Sequence, residues 1–185
     1  LIAVGFASNF LSKNENLKQY GLMMMGLGLI FLGMDFMSNA TRPLRSYGPF
    51  IALMKNMQNP LAGILLGTVF TALVQSSSAT TGVVIVLAGQ GFIPLEAGIA
   101  LAFGANLGTC ITALLATLGK PTEAVQAAIS HVLFNVLGIL VWFFFIDQLA
   151  EWVRAISPQT TELTGIAKLA AETPRQIANA HTIFN

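Results

Sequence analysis

Residues 75–82, Gln-Ser-Ser-Ser-Ala-Thr-Thr-Gly, gather one amide and five hydroxyls into eight positions. Two chemistries suit such a stretch. Hydroxyl hydrogens, with the free N–H groups and positive dipole end of a helix starting there, bind an anion. Hydroxyl oxygens and unwound carbonyls ligate a small cation. Broken helices that divide the work in this way occur in secondary transporters. The plainer alternative is a Ser/Thr cap at a kinked helix, which requires one hydroxyl rather than five. The flanks make the choice matter, because apolar runs at 61–74 and 83–89 enclose the stretch. An unpaired polar group in hydrocarbon costs a few kcal/mol.

A second polar cluster, Gly104-Ala105-Asn106-Leu107-Gly108-Thr109-Cys110-Ile111-Thr112, interrupts another apolar run. Gly104 and Gly108 allow a second helix to approach closely. Asn106 and Thr109 share a helix face or line an unwound break, as helix-packing glue or as ligands. Gly63, Gly67, Thr71 and Gln75 recur every four residues, a stripe that lets one arm lie against a partner backbone and carries Gln75 to the interface. His131 and Asn135 in HVLFN recur as His181 and Asn185 in HTIFN. These read as structural polar residues, a repeated packing element with hydrogen bonds between helices. Asp35, near the end of an apolar run, either snorkels to the interface or has a functional role. Cys110 reads as a small core residue. No G-x-S-x-G, HExxH or carboxylate pair occurs in the apolar region, so a Ser77/His131/Asp35 hydrolase has little support and the chain reads as a non-enzyme.

The elements that position these residues follow from composition. Of 185 residues, 55% are hydrophobic and 9% charged, with a mean hydropathy of +0.72. Soluble domains carry about 25% charged residues, so the chain reads as an all-α integral membrane protein. A net charge of +1 offers no basic face for nucleic acid, and one cysteine excludes a disulfide framework or cysteine-based zinc site. Membrane-crossing stretches fall at about 20–37, 95–118 (interrupted by GANLGT) and 124–146, with a further one starting at 176. Residues 147–175 read as a polar connection. Both ends read as spans cut partway, which makes 1–185 a single transmembrane fragment of a longer protein. Residues 61–89 form two short arms around the polar tip, either a hairpin that enters and leaves on one side or one helix broken at mid-membrane. Arm length favours the hairpin. The positive-inside rule places the Arg42, Arg45 and Lys55 linker in the cytoplasm, and loop charge slightly favours the broken crossing.

Charge sets a mechanistic constraint. No Lys or Arg lies between Lys55 and Lys120, so an anion held at Ser76 to Ser78 lacks a nearby cation from this chain. Neutral donors alone poorly offset an anion's desolvation. Cation-coupled binding is the expectation.

TALVQSSSATTG, then FGANLGTCITALLA, then HVLFNVLG closely resembles the bacterial branch of the sodium-dependent phosphate cotransporter family, from about residue 20 to 185. QSSS alone is a weak signal; the three motifs in order are a strong one. The resemblance implies half of an inverted-repeat secondary transporter, most like its second repeat. It implies Gln75, Ser76, Ser77 and Ser78 at phosphate, and Gln75, Ser76, Asn106, Thr109 and Thr112 around co-transported sodium, with no organic cofactor. The implied activity is sodium-coupled phosphate symport by alternating access across the cytoplasmic (inner) membrane. The rival reading is a non-transporting phosphate-sensing membrane subunit. Implied partners are the bilayer, the missing first repeat and a PhoU-like cytoplasmic domain beyond residue 185. One QSSS occurs here, where the family's site uses two.

Overall fold

A computed structural model describes residues 1–41, 43, 47, 49 and 59–185. Arg42, Arg45 and Lys55, on which the sidedness of the basic linker rests, lie outside the described residues. Those described form helices and no strand, as the composition requires. Two compact units emerge, Leu1–Ala40 and Thr41–Asn185.

The first unit pairs α1 (Ile2–Leu11) with α2 (Glu15–Thr41). Gly5 and Gly21 let the backbones touch: a Cβ on either would fall within 2.7 Å of the other's carbonyl oxygen. Asp35 is exposed on α2 and accepts a hydrogen bond from Asn39 Nδ2 at 3.1 Å.

The second unit is built around α5 (Leu95–Ala116), whose Leu95, Ile99 and Phe103 are almost wholly buried. It is preceded by α3 (Pro60–Val74) and α4 (Ser77–Gly89), and followed by α6 (Thr122–Phe143), α7 (Ile146–Ile156) and α8 (Gly165–Phe184). Among the described residues three helices are long and apolar enough to cross a membrane, namely α2 up to Ala40, α5 and α6.

Sequence sets the ends of α3. Asn59 Oδ1 accepts from the Leu61 N–H at 3.0 Å and Pro60 fills the first helical position, where its missing N–H costs nothing. Gln75 ends the helix in the left-handed region, at φ 57° and ψ 29°, and its N–H reaches the Thr71 carbonyl at 2.6 Å.

Packing fixes helix direction. Gly63 abuts Ala100, Gly67 abuts Ala105, and Gly108 abuts Thr68 and Thr71. Both sets of numbers rise together, so α3 and α5 run the same way. Five residues, 90–94, join α4 to α5, which forces α4 to run against α5 and therefore against α3. The arms thus fold back as a helical hairpin with its tip at Gln75 and Ser76. Thr71 Oγ1 braces it by donating to Thr80 Oγ1 at 2.7 Å. The glycines of the stripe do what their spacing indicated, removing the Cβ atoms that would hold α3 and α5 apart; Gln75, expected at the same interface, is instead exposed, because it has left the helix in the left-handed turn.

Elsewhere the helices depart from the hydropathy reading. GANLGT does not interrupt α5, which stays helical to Ala116 because Thr109 Oγ1 folds onto the Ala105 carbonyl at 3.0 Å while Asn106 turns into a buried position. The segment 147–175 is not simply a connection. Ile146, Leu149, Ala150 and Val153 are buried at helical spacing in α7, and α8 begins at Gly165 and continues through Pro174. α8 points the same way as α5, since Gly98 meets Ile177 and the Phe103 and Phe184 rings meet at a 37° tilt with centroids 4.5 Å apart.

Candidate functional site

Five hydroxyls follow Gln75, and the structure gives them different work. Ser76 is the N-cap of α4, its Oγ accepting from the Ala79 N–H at 3.2 Å. This is the modest role that one hydroxyl fulfils. It also leaves the N–H groups of Ser77 and Ser78, in the first turn, without an intrahelical acceptor. Thr80 receives the Thr71 brace and donates to the Ser76 carbonyl at 3.1 Å, which pins the tip to the first turn. Thr81 Oγ1 is buried with no partner among the described residues. Ser78 and Gln75 are exposed, and Ser77 is half-buried.

Ser77 lines a cleft of about 450 Å³ with Asn106, Thr109, His131, Phe134, Asn135, Gly138, Trp142, Phe184 and Asn185. All three sequence motifs therefore meet in one place: the hairpin tip, the middle of α5, and both H-x-x-F-N segments. Gln75, Ser76, Ser78 and Thr112 are not among the lining residues. Thr112 follows Thr109 by almost a full helical turn, but its half-buried side chain lies beyond the cleft. Among the described residues the lining carries no Lys, Arg, Asp or Glu, and its ionisable side chain is the His131 imidazole.

The hydrogen bonds decide what each wall can offer. Thr109 spends its hydroxyl hydrogen on Ala105, so it presents lone pairs, which suit a cation. Asn106 is 93% buried by its 7% exposure, and its Nδ2 has no hydrogen-bond partner among the described residues. A buried amide N–H left unpaired costs about 1–3 kcal/mol, and it is a donor, so as placed it calls for an anion's oxygen or water. A half-turn of the amide would offer its oxygen instead. Asn135 Nδ2 donates to the His131 carbonyl at 2.9 Å and Asn185 Nδ2 to the His181 carbonyl at 2.8 Å. The hydrogen bonds expected between helices are thus made within each helix, because an Asn amide readily folds back to the carbonyl four residues earlier. Reading the H-x-x-F-N repeat as packing missed Asn185, Phe134 and Phe184 as lining residues; the repeat itself was the available signal. Cys110 is buried, its Sγ directed to the Asn106 carbonyl at 3.6 Å.

A sequence profile of the family described as Na+/Pi-cotransporter matches residues 50–169. The chain is 32% identical over 164 residues to a Bacillus subtilis (strain 168) protein named uncharacterized protein YqeW, covering 88% of this chain and 53% of that one. It is 46% identical over 84 residues to mouse (Mus musculus) sodium-dependent phosphate transport protein 2C, and 43% identical over 84 to human (Homo sapiens) protein 2B. Those 84 residues are 43% of this chain and 14% and 12% of the two mammalian proteins. No solved structure matches.

Proposed function

The chain belongs to the Na+/Pi-cotransporter family, and from that premise we propose that it forms one repeat of a sodium-coupled symporter of inorganic phosphate. The observation that carries the reading is the cleft, with no Lys, Arg, Asp or Glu among its described lining residues, which joins Ser77 at a helix start to Asn106 and Thr109. Phosphate accepts from Ser77 Oγ, from the free N–H groups opening α4 and from Asn106 Nδ2. Sodium sits against oxygens with no hydrogen to give, Thr109 Oγ1 first among them. Gln75, Ser76, Ser78 and Thr112, outside the cleft lining, join the site where this repeat meets the missing first repeat. Without a basic wall, phosphate binds only when sodium supplies the positive charge, and the neutralised site then changes sides. That order produces coupling.

The hairpin is re-entrant in this reading. At ~1.5 Å per residue, α3 and α4 measure about 22 and 20 Å, short of the ~30 Å hydrocarbon core. The tip lies about one turn beyond the level of Gly108, roughly 25 Å along α5, and its irregular backbone is tolerated where, beside Ser77, it borders a cavity. A re-entrant hairpin places residues 147–175 on the same, cytoplasmic side as the basic linker. The inverted first repeat and the cytoplasmic membrane as host complete the proposal.

The test is uptake of radiolabelled phosphate by proteoliposomes holding the full-length protein, with an inward sodium gradient or with potassium in its place. Uptake with sodium alone, lost in Ser77→Ala, is expected. Phosphate binding without accumulation would replace the transporter with the sensing subunit.

A further inference from the structure

The geometry points to Asn135 and Asn185 as ligands of the co-transported cation, a role additional to their place in the helices. The inference rests on the reading of the cleft as a sodium and phosphate site. The two H-x-x-F-N motifs lie on α6 and α8. Residues 117–121 join α5 to α6 in a short turn, so α6 runs against α5 and hence against α8, yet Phe134, Asn135, Phe184 and Asn185 all line the one cleft. Each amide nitrogen is committed to its own helix, at 2.9 Å for Asn135 and 2.8 Å for Asn185. An amide has two ends, so fixing the nitrogen leaves the carbonyl Oδ1 as the atom available to a ligand. The histidine carbonyl four residues earlier is an acceptor and can be answered only by N–H, which prevents the amide from turning over. With Thr109 Oγ1, whose hydrogen is also committed, the cleft presents three neutral oxygens that can accept and not donate. Hard monovalent cations are recognised by such oxygens; phosphate oxygens are not. Asn106, with its buried Nδ2 unpartnered, is the complementary donor. The lining residues therefore sort by chemistry into acceptors whose hydrogens are spent, which suit a cation, and a donor whose hydrogens are free, which suits an anion.

The experiment measures equilibrium binding of radiolabelled sodium to the purified full-length protein without phosphate, with choline maintaining ionic strength. Asn135→Ala and Asn185→Ala are each expected to weaken sodium binding at least tenfold. Asn135→Asp keeps an oxygen where Oδ1 stands but loses the N–H to His131, so a ligand role predicts affinity within about threefold of the unaltered protein. A purely structural role predicts that Asp is as damaging as Ala. Thr182→Ala removes a comparable bond to the own helix, Thr182 Oγ1 to the Ala178 carbonyl at 2.9 Å, on an exposed position of α8, and should leave binding unchanged. Unchanged binding in the alanine variants, equal damage from Asp and Ala, or no sodium binding by the unaltered protein would each overturn the inference. The first two results, obtained beside sodium-driven uptake that Ser77→Ala abolishes, leave the transport reading standing. Weakened sodium binding in a protein that never accumulates phosphate does the opposite: it supports the ligand assignment and overturns the transporter.

Discussion

Gly108→Ala tests whether the approach of α3 to α5 sets the site. A Cβ at Gly108 would fall 2.6 Å from both the Thr68 carbonyl oxygen and Thr71 Cβ, where ordinary contact begins near 3.4 Å. Relief requires about 0.8 Å of separation (3.4 less 2.6). Backbone on one side and a buried, hydrogen-bonded Thr71 on the other leave no flexible side chain to yield. The displacement falls beside Thr109 and about one turn short of the tip, so Ser77 moves away from Asn106 and Thr109 by most of it. Misplacing a binding group by about 1 Å can cost on the order of 100-fold; a tenfold to hundredfold loss in kcat/KM for phosphate uptake is expected. Overpacking costs about 1–3 kcal/mol, partly offset by the ~1 kcal/mol that alanine gains over glycine within a helix. Gly82→Ala supplies the control, because a Cβ there meets nothing within 4 Å. It should fold at least as well and transport normally. Gly108→Ala protein that folds and takes up phosphate with unaltered sodium and phosphate dependence would refute the claim that this crossing positions the site.

Three further outcomes follow from the hydrogen bonds. Thr80→Val should destabilise more than Thr71→Val in thermal unfolding, by about 1–2 kcal/mol: it strands the buried Thr71 hydroxyl, whereas Thr71→Val leaves Thr80 still donating to Ser76. Equal losses would contradict the direction of the brace. Gln75→Gly should leave the hairpin as stable or up to ~1 kcal/mol more so, since only glycine adopts the left-handed region freely, while sodium-dependent uptake falls; retained uptake would remove Gln75 from the site. Glu172 Oε1 accepts from the Thr160 N–H at 2.6 Å and its hydroxyl at 2.8 Å. These bonds, the N–H first, hold its pKa below 4.5, with Lys168 adding a smaller pull. A lowered carboxylate pKa stabilises the folded state above 4.5 and loses that contribution as pH falls through the folded value. Protection of the Thr160 amide against hydrogen exchange should therefore collapse below pH 4.5, and be absent at every pH in Glu172→Ala.

Much of this architecture was legible in the residues because the features are periodic or compositional. Gly63, Gly67, Gly104 and Gly108 show their spacing openly, and two arms too short to cross mark a hairpin. The division of labour among Ser76, Ser77, Thr80 and Thr81 was not legible. Which hydroxyl caps, braces or faces the cleft depends on the left-handed turn at Gln75, and that is a backbone event no side-chain type announces. The continuity of α5 through GANLGT was hidden for a related reason: Asn and Thr satisfied by their own helix look, in a list of residues, like a break. A buried face of four residues in α7 was masked by Asp147, Glu151 and Arg154 on the other side, because average polarity does not record direction. Convergence of two H-x-x-F-N copies on one cleft requires the opposed directions of α6 and α8, which only the packing supplies.

The hairpin's dependence on α5 has a consequence for the order of biosynthesis. Neither arm is long enough to be inserted as a span by itself, and the surface that accepts α3 is the Gly104 and Gly108 face of a helix made later. Ala116 follows Val74 by about 40 residues, so at about 5–20 residues per second the first arm waits some seconds for its groove to be synthesised. Throughout that interval the Gly63 and Gly67 face is uncovered, with nothing yet to dock against. Assembly here runs against the direction of translation: the later helix is the template and the earlier one the insert. A ribosome stalled after Gln75 has emerged but with α5 still inside it should therefore hold the hairpin open to proteolysis, and one stalled after α5 has emerged should hold it closed.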